Sequence, residues 1–426
     1  MIRSLYALVG MLAHAPLSLW LQRRVARGKE SPTRLGERYG RSSVPRPSGT
    51  LIWVHAASVG ETQSVLPLLR SLHDTYPHAH ILLTTGTLTS AALAASQQSQ
   101  LPRLLHQFAP LDTPFAVKRF LQHWHPSIAM WVESELWPEL IFQTEARHIP
   151  MLLVNARLSP RSFAKWRKLK RLARAMYAAF DVIFAGSEED AGRIRLLADV
   201  EKSTLDVRTV GNLKYDAEPL VSDATTVANL RDAIGSRPCW LAASTHAGEE
   251  RLVQHVHQQL KAQFPDLLTL LVPRHAVRGE AIASELRSNL SIVAQRSVGE
   301  PITPHTDIYL ADTMGELGCF FDVCEIVFIG GSLVAHGGHN VLEPARQHCA
   351  ILTGAYSFNF TPVIEQLKDA EAIRITPDVA SLAREVAQLL TNPAQRHGLA
   401  KRAHEVVVNA RGAKSAILDC IGEWLH

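Results

Sequence analysis

The chain has 426 residues, of which 46% are hydrophobic and 20% charged; this composition is typical of a globular protein, and the length exceeds one ordinary core, so two domains are expected. Lys and Arg exceed Asp and Glu by 44 to 40, which is only mildly basic, so the distribution of charge is more informative than its sum. The five cysteines are scattered without C-x-x-C spacing, which argues against a disulfide framework or a zinc site and indicates a reducing compartment.

The N-terminal run Leu5–Leu21 is apolar apart from His14 and Ser18, and basic residues follow it. Its length is borderline for a membrane span, which needs about 20 residues. A cleaved signal peptide is the alternative, because a small-x-small sequence stands just before Pro16. The position of that proline and the continuation of the apolar run to a basic cluster favour a retained anchor over residues 1–22. The positive-inside rule then places the following domain on the cytoplasmic side.

Beyond residue 50, short apolar runs alternate with amphipathic helical segments, a pattern that predicts a parallel α/β sheet. The alternation pauses at a polar stretch and restarts, so we expect two doubly wound domains, 23–216 and 236–426, with a linker at 217–235. The chain is helical from about Asp378, and its last helix could pack back onto the first domain. The predicted strands are Leu51–His55, Ala79–Thr84, Ser127–Trp131, Met151–Asn155, Val182–Ala185 and Val207–Val210, followed by Trp240–Ala243, Leu267–Val272, Ile292–Ala294, Asp307–Leu310, Ile326–Ile329 and Ala350–Leu352. Three predicted helices are Thr62–Leu72, Leu136–Ala146 and Ser162–Ala178.

The first predicted strand leads into a turn of small residues, HAASVGE. Ligands of doubly wound sheets bind beyond the carboxyl ends of the strands, and this turn resembles the start of a phosphate loop. However, Glu61 at the helix entrance would repel a phosphate, and neither G-x-G-x-x-G nor a Lys-Ser/Thr ending is present. Ser58, Gly60, Thr85 and Glu133 stand in the same turn or at other strand ends. Each such loop also has a simpler interpretation as a turn and helix cap.

The loop IGGSLVAHGGHNVLEPA in the second domain is rich in glycine. Gly337 and Gly338 permit close backbone approach, and the helix that follows Asn340 could receive an anion such as a nucleotide phosphate at its N-terminus. Glu343 on that helix could accept hydrogen bonds from ribose hydroxyls. Alternatively, the glycines form a tight turn and Glu343 merely favours the helix dipole.

Two further loops, STH and PRH, follow strands of the same domain. Arg offers a planar fork for carboxylate or phosphate, and His can donate from either ring nitrogen, so these loops and the glycine turn could form an anion-binding cleft. Taken singly, His246 is equally a neighbour of a helix cap and Arg274 equally an ion-pair partner. The residues concerned are Ser244, Thr245, His246, Arg274 and His275.

One segment concentrates positive charge: from Arg157 to Arg174 there is no acidic residue, and Phe163 and Trp166 are interleaved with the cations. Such a helix suits an anionic membrane surface or a phosphorylated lipid, and the N-terminal apolar run favours this interpretation over nucleic acid or a solvated face. The candidate contacts are Arg157, Arg161, Lys165 and Lys168. The absence of H-E-x-x-H and D-x-D sequences predicts no metal requirement.

In chain order, HAASVGE, ESELWPEL, NARLSPRS, STHAGEE, LVPRH, DTMGELG, GGSLVAHGGHNVLEPA and FNF resemble the motifs of the 3-deoxy-D-manno-octulosonate (Kdo) transferases of Gram-negative lipopolysaccharide synthesis. The resemblance runs from Gly36–Gly40 almost to the C-terminus. It implies a GT-B glycosyltransferase with two Rossmann-like domains facing a cleft, an N-terminal acceptor domain and a C-terminal nucleotide-sugar domain. It further implies an inverting, metal-independent transfer without a cofactor, from CMP-Kdo to lipid IVA, the tetraacyl disaccharide bisphosphate precursor of lipid A. The family is anchored to the cytoplasmic face of the inner membrane.

The resemblance also implies roles for individual residues. Glu61 falls on the family's proposed general base, and the P-R-H, G-E-L and N-x-x-E motifs of donor recognition fall on Arg274, His275, Gly315, Glu316, Leu317, Asn340 and Glu343. Two departures concern the acceptor side: W-P-E with Glu139 replaces W-P-N, and HQFAPLDTP replaces a tyrosine-rich loop. Two other classes stay open, a transferase of the same fold that uses a UDP-sugar and a lipid acceptor, and a non-catalytic peripheral membrane scaffold.

Overall fold

A computed structural model describes residues 2–200 and 205–425. The chain forms two compact units, Met1–Ala217 together with Arg411–His426, and Glu218–Ala410. Met1 of the predicted anchor, residues 201–204 of the predicted first domain and His426 at the C-terminus lie outside the described residues.

The first unit is built on a parallel sheet of seven strands covered by helices. The strands are almost continuously buried, as expected for a parallel sheet with helices on both faces. They are β1 Leu51–His55, β2 His80–Thr85, β3 Leu104–Phe108, β4 Ile128–Val132, β5 Met151–Ala156, β6 Val182–Ala185 and β7 Asp206–Thr209. The helices are α1 Ile2–Ala26, α2 Leu35–Arg38, α3 Val59–Thr75, α4 Leu88–Ser96, α5 Pro114–Trp124, α6 Pro138–Glu145, α7 Pro160–Lys168, α8 Lys170–Tyr177 and α9 Glu188–Ala198, with the C-terminal Ala413–Gly422, α18. The strand order is β3-β2-β1-β4-β5-β6-β7.

The second unit repeats this plan. Its strands are β8 Cys239–Thr245, β9 Leu268–Pro273, β10 Val293–Gln295, β11 Ile308–Leu310, β12 Ile326–Ile329, β13 Ala350–Thr353 and β14 Arg374–Ile375. Its helices are α10 Ala224–Ile234, α11 Glu249–Lys261, α12 Gly279–Ser288, α13 Leu317–Val323, α14 Leu342–Arg346, α15 Thr361–Asp369, α16 Val379–Thr391 and α17 Pro393–Asn409. The strand order is β10-β11-β9-β8-β12-β13-β14, and all pairs are parallel.

The predicted fold class, an α/β chain with two Rossmann-like units, is confirmed. In each sheet the strand order reverses beside the first strand, between β1 and β4 and between β8 and β12. Doubly wound sheets bind their ligands in the crevice outside the carboxyl ends of the strands at this reversal. The loops that follow these four strands are therefore the first places to look for chemistry.

Two strands and one helix break differ from the sequence prediction. β3 was not predicted because it carries His106 and Gln107, and β14 has only two residues. The single predicted helix 162–178 is two helices, since Leu169 leaves the helical conformation between α7 and α8. Phe163 and Trp166 of α7 pack partly against the core of the first unit. The sequence analysis expected these aromatic residues to face a membrane, but part of their surface is covered by the protein.

The segment predicted as a linker contains a helix. Asp223 caps α10 by accepting a hydrogen bond from the backbone N–H of Thr226 at 2.7 Å, and Val227, Leu230 and Ile234 are buried along one stripe. The remaining positions are polar and exposed, which is why the composition resembled a linker. At the other end of the chain, α18 buries residues in the core of the first unit.

The N-terminal helix α1 bends by 51° between Arg3–Ala13 and Ala15–Ala26. Pro16 lies inside the helix, where its ring clashes with the preceding turn. Among the described residues no single helix is both long and apolar enough to cross a membrane, although the two arms of α1 together have the required length and composition. The anchor over residues 1–22 stays a prediction.

Candidate active site

The turn after β1 holds the Glu61 carboxylate in place. Ser58 caps α3: its Oγ accepts from the backbone N–H of Glu61 at 3.3 Å and donates to Glu61 Oε1 at 2.9 Å. Glu61 Oε2 accepts from the backbone N–H of Ala57 at 2.7 Å, which completes a capping box. The side chain is thus both a helix cap and a positioned acid beside the strand-order reversal.

The surroundings of Glu61 raise the pKa of its carboxyl group toward neutral pH. Burial raises the pKa of Glu61 to about 7, and the nearby carboxylates of Glu135 and then Glu133 act in the same direction against the hydrogen bond from Ser58. A base whose pKa lies near the operating pH is best suited to accept a proton in a reaction. The acid that looked misplaced in a phosphate loop therefore has the properties of a general base.

The loop after β4 supplies the two other acids of this cluster. Glu133 has a positive φ of 60°, which is strained for a residue other than glycine. Its carboxylate accepts from Asn155 Nδ2 at 3.3 Å and lies 3.9 Å from both Lys214 Nζ and Arg157 Nη1. Glu135 accepts from Trp137 Nε1 at 2.8 Å. Three strand-end loops thus converge on one charged cluster.

Replacing Glu135 by Gln should lower the pKa of Glu61, because it removes the negative charge that raises this pKa more than Glu133 does, while keeping an acceptor for Trp137. We expect the acid limb of the pH–rate profile to move to lower pH, since Glu61 then stays unprotonated further below neutrality, with little change in the plateau rate. The measurement is kcat against pH, with the exposed Asp74→Asn variant as control. An unmoved acid limb would contradict the coupling.

Sequence reasoning did not single out Glu135, Asn155 or Lys214. Asn155 also has a positive φ, 53°, and its Oδ1 accepts from the backbone N–H of Leu213 at 3.3 Å. Their positions, in the loop after β4, at the end of β5 and in the loop that follows β7, were the only available signal. Which of several strand-end polar residues meet is decided by the strand order.

The other residues of this unit that were predicted to contact the acceptor or the membrane differ in their exposure. The hydroxyl of Thr85 is fully buried and hydrogen-bonded to His106 Nε2 at 2.9 Å, and its contact with an acceptor stays a prediction. Gly60 lies in the first turn of α3, where an added Cβ would meet Ser58 Oγ at 4.0 Å, an ordinary van der Waals distance. Arg161, Lys165 and Lys168 of α7 are exposed, and among the described residues none of the three makes an ion pair.

In the second unit, the glycine loop after β12 is already occupied by a protein carboxylate. Glu249, at the start of α11 and fully buried, accepts from the backbone N–H groups of Gly331, Ser332 and Leu333 at 2.6, 3.0 and 2.9 Å, and from that of His246 at 2.9 Å. These amides cannot bind a nucleotide phosphate as the glycine pattern suggested. Glu249 instead ties the loops after β8 and β12 together.

Four histidines gather at this strand-order reversal. His246 stacks on His336 with 3.8 Å between ring centroids, and its Nε2 lies 2.7 Å from Nε2 of His339. His275 packs edge-on against His246 at 5.7 Å. Gly331 provides the space for the His339 ring, since a Cβ at position 331 would lie 3.1 Å from that ring. The sequence prediction included His246 and His275 but not His336 or His339.

The charge state of this cluster follows from crowding. Burial, then His246 and Arg274, lower the pKa of His339 to about 4, and burial, then His336, lower the pKa of His246. The rings of His339 and His246 are therefore neutral near pH 7, and one of their two facing Nε2 atoms donates to the other. Arg274 beside them is exposed and makes no ion pair or side-chain hydrogen bond with any residue of the described chain. The predicted anion cleft thus has one available cation beside a group of imidazole rings.

The remaining donor candidates are largely engaged within the protein. Thr245 is buried and donates to Glu250 Oε1 at 3.1 Å, and Glu316 pairs with Arg296. Both side chains, which were predicted to bind the donor, are therefore already bonded within the protein. A Cβ on Gly337 would clash with the side chain of Asn359, so this glycine accommodates the F-N-F segment, and its part in donor binding stays a prediction. Ser244 with φ 59° and Gly315 with φ 86° form turns, and Leu317 begins α13.

Asn340 and Glu343 form a pair of their own. Asn340 Nδ2 donates to Glu343 Oε1 at 3.0 Å, and burial raises the pKa of Glu343. One oxygen of Glu343 is left for a ligand hydroxyl, so the structure is compatible with the ribose interpretation. Within residues 2–200 and 205–425, no group of three His, Cys, Asp or Glu side chains is arranged to hold a metal ion.

Comparison with known proteins gives three kinds of match. The profile of the family described as 3-Deoxy-D-manno-octulosonic-acid transferase (kdotransferase) matches residues 33–217. A 3-deoxy-D-manno-octulosonic acid transferase of Haemophilus influenzae is 36% identical over 398 residues, which cover 92% of each chain. The C-terminal CMP-Kdo binding domain of WaaA from Acinetobacter baumannii is 30% identical over 43% of this chain and 96% of that one, with a TM-score of 0.41. UDP-GlcNAc 2-epimerase from Neisseria meningitidis, bound to UDP-GlcNAc, is 10% identical with a TM-score of 0.55 over 88% of this chain and 100% of that chain, and thus shares the fold.

Proposed function

The chain belongs to the 3-deoxy-D-manno-octulosonic acid transferase family and is a glycosyltransferase, and from this premise we propose that it transfers Kdo from CMP-Kdo to lipid IVA in lipopolysaccharide biosynthesis, by inverting displacement with Glu61 as general base. The observation that carries the proposal is the Glu61 carboxylate, positioned at the strand-order reversal with a pKa of about 7.

The chemistry requires one proton transfer and one displacement. A Glu61 oxygen takes the proton of the acceptor's primary hydroxyl while the hydroxyl oxygen attacks the anomeric carbon of Kdo, and the bond from that carbon to the CMP phosphate breaks with its electron pair on the phosphate. A single attack on the opposite face inverts the anomeric centre. The raised pKa supports this role, because about half of the base is unprotonated at pH 7 and most of it above that pH, and it is still basic enough to accept a proton.

The donor carries two anionic groups, the phosphate of CMP and the carboxylate of Kdo. Arg274 and the histidines of the second unit suit such a ligand, because they offer one fixed positive charge and hydrogen-bond donors. Glu343 suits a ribose hydroxyl. We assign the donor to this cluster and the acceptor sugar to the Glu61 turn.

Arg274→Ala should weaken binding of CMP-Kdo by about 10- to 100-fold, which corresponds to the about 1.5–3 kcal/mol of a hydrogen bond to a charged group. Isothermal titration with CMP and with CMP-Kdo measures this loss. The exposed Arg251→Ala variant is the matched control, since it removes the same charge from α11. Equal affinities for the two variants would exclude Arg274 from the donor site.

The acceptor and the membrane call for cations and an apolar anchor. Arg161, Lys165 and Lys168 are exposed and could meet the acceptor's phosphates and anionic headgroups at the cytoplasmic side of the inner membrane, and α1 would insert beside them. Sedimentation of the full chain with vesicles of anionic phospholipid, but not with neutral vesicles, is the expected result. If the chain sediments with neither kind of vesicle, the membrane contact is excluded from the proposal.

One reconstituted reaction tests the whole proposal. The purified chain is incubated with lipid IVA and CMP-Kdo, and the product mass should increase by one or more Kdo residues without added metal. Thermal unfolding with CMP and UDP gives a second readout, since greater stabilisation by UDP would favour a UDP-sugar donor. Absence of any turnover with these substrates would favour the alternative that the chain is a non-catalytic membrane scaffold.

A further inference from the structure

We propose that an apolar groove beneath the N-terminal helix binds an acyl chain of the lipid acceptor, so that α1 forms part of the substrate site as well as a membrane contact. This inference rests on the proposed function, because it concerns the same acceptor. The groove lies wholly within the first unit and has a volume of about 620 Å³.

The groove is walled by α1 on one side and by the loops after β1, β2, β3 and β4 on the other. Its surface is mostly apolar, with Ala13 and Leu17 from the helix and Leu111, Leu136 and Trp137 from the loops. Such a lining binds hydrocarbon by removing apolar surface from water.

Polar contacts fix α1 above the loops at both ends of the groove. Near its N-terminus, Tyr6 Oη donates to Asp112 Oδ2 at 2.9 Å. Near its C-terminus, Arg24 pairs with the buried Glu30 at 2.9 Å, and Glu30 also pairs with Arg38 at 3.0 Å. Arg38 in turn donates to the carbonyl oxygens of Gly86 at 2.6 Å and Ala109 at 3.1 Å. The fold therefore keeps the space between these two sets of polar contacts open.

One end of the groove lies at the proposed base. Ala57 lines it, and the backbone N–H of the same residue donates to Glu61 Oε2 at 2.7 Å. A chain attached to a sugar whose hydroxyl reaches Glu61 would thus enter the groove directly.

The groove also opens onto the apolar outer face of α1. Val9 and Trp20 line the groove and are nevertheless 55% and 49% exposed. On the same helix Leu5, Leu8 and Leu12 are 61%, 50% and 73% exposed. An exposed apolar surface of this kind marks a contact with lipid or protein. Continuity from this face to the base loop favours an acyl chain, since the charged groups beside the groove are already paired with one another and offer little to a peptide backbone.

The test fills the groove and compares two acceptors. Ala13→Trp places a large ring in the groove, whereas Ala15→Trp makes the same change at an exposed position of the same helix outside it. Each variant is assayed with lipid IVA and with the fully deacylated disaccharide bisphosphate, which keeps the phosphates and the reacting hydroxyl. We expect Ala13→Trp to lower kcat/KM for lipid IVA by at least about tenfold, the effect of about two buried methylenes, and to leave the deacylated acceptor unaffected. Ala15→Trp should change neither.

A parallel loss with both acceptors, or no loss with either, would overturn the acyl-chain site. If Ala13→Trp does not fold, as judged by thermal unfolding, Ala13→Leu is compared in the same way and should show a smaller loss confined to lipid IVA. Failure of the wild-type chain to use either acceptor would instead refute the proposed function, so the two failures are distinguishable.

Discussion

Glu61→Gln is expected to reduce kcat for Kdo transfer by about 10²- to 10⁴-fold, the usual contribution of a general base, while leaving CMP binding intact. The amide oxygen can still accept from the backbone N–H of Ala57, so the capping of α3 is largely kept and the change in unfolding free energy should stay within about 1 kcal/mol. A radiolabel transfer assay measures the rate, and thermal unfolding measures the stability.

Glu189→Gln is a matched control, because Glu189 also lies in the first turn of a helix that follows a strand but is exposed. The wild-type rate should decline below about pH 7, since protonation of a base whose pKa is raised to about 7 removes its free electron pair as the pH falls. Near-normal transfer by Glu61→Gln would show that another group is the base. Loss of CMP binding together with activity would point to structural damage.

Glu249→Ala is expected to have the largest effect on stability. It leaves the backbone N–H groups of His246, Gly331, Ser332 and Leu333 without their acceptor in a buried place. At about 1–3 kcal/mol for each unsatisfied buried donor, the unfolding free energy of the second unit should decrease by at least about 3 kcal/mol. Urea unfolding followed by fluorescence measures this change.

The same substitution should abolish CMP binding even where the unit stays folded, because the loops that carry the histidines lose their common attachment. Glu280→Ala removes a carboxylate from the exposed side of the neighbouring helix α12 and should change neither stability nor affinity. A Glu249→Ala chain with wild-type stability would contradict the role of this carboxylate as the support of the glycine loop.

Glu61 could be identified beforehand, because an acid at the entrance of a helix after a small-residue turn conflicts with the phosphate-loop interpretation, and the resemblance to the Kdo transferases implies its role. Thr85 and Thr245 looked equivalent to Ser58 as polar residues at strand ends. In the structure both are buried and hydrogen-bonded inside the protein, since a threonine after a strand can turn to either side of the sheet.

The glycine loop shows a second limit. Gly331, Gly337 and Gly338 all adopt positive φ, as glycines in a turn can. A glycine pattern indicates that something approaches the backbone closely, but not what approaches. Here it is the ring of His339 from the same loop, and the ring of His246, the F-N-F segment and the carboxylate of Glu249 from other parts of the chain.

The sequence by itself determined the alternation of strands and helices, the two-unit α/β fold, the family and the acid at position 61, because these depend on local apolar periodicity and on motifs that are contiguous in the chain. Only the tertiary structure decided which strand-end side chains meet. The strand orders set β1 beside β4 and β8 beside β12, and this placement joins Glu61 to Glu133 and Glu135, gathers four histidines, and lays α1 over the loops to form the groove. Contacts of this kind depend on strand order and burial, which have no signature in a single stretch of sequence.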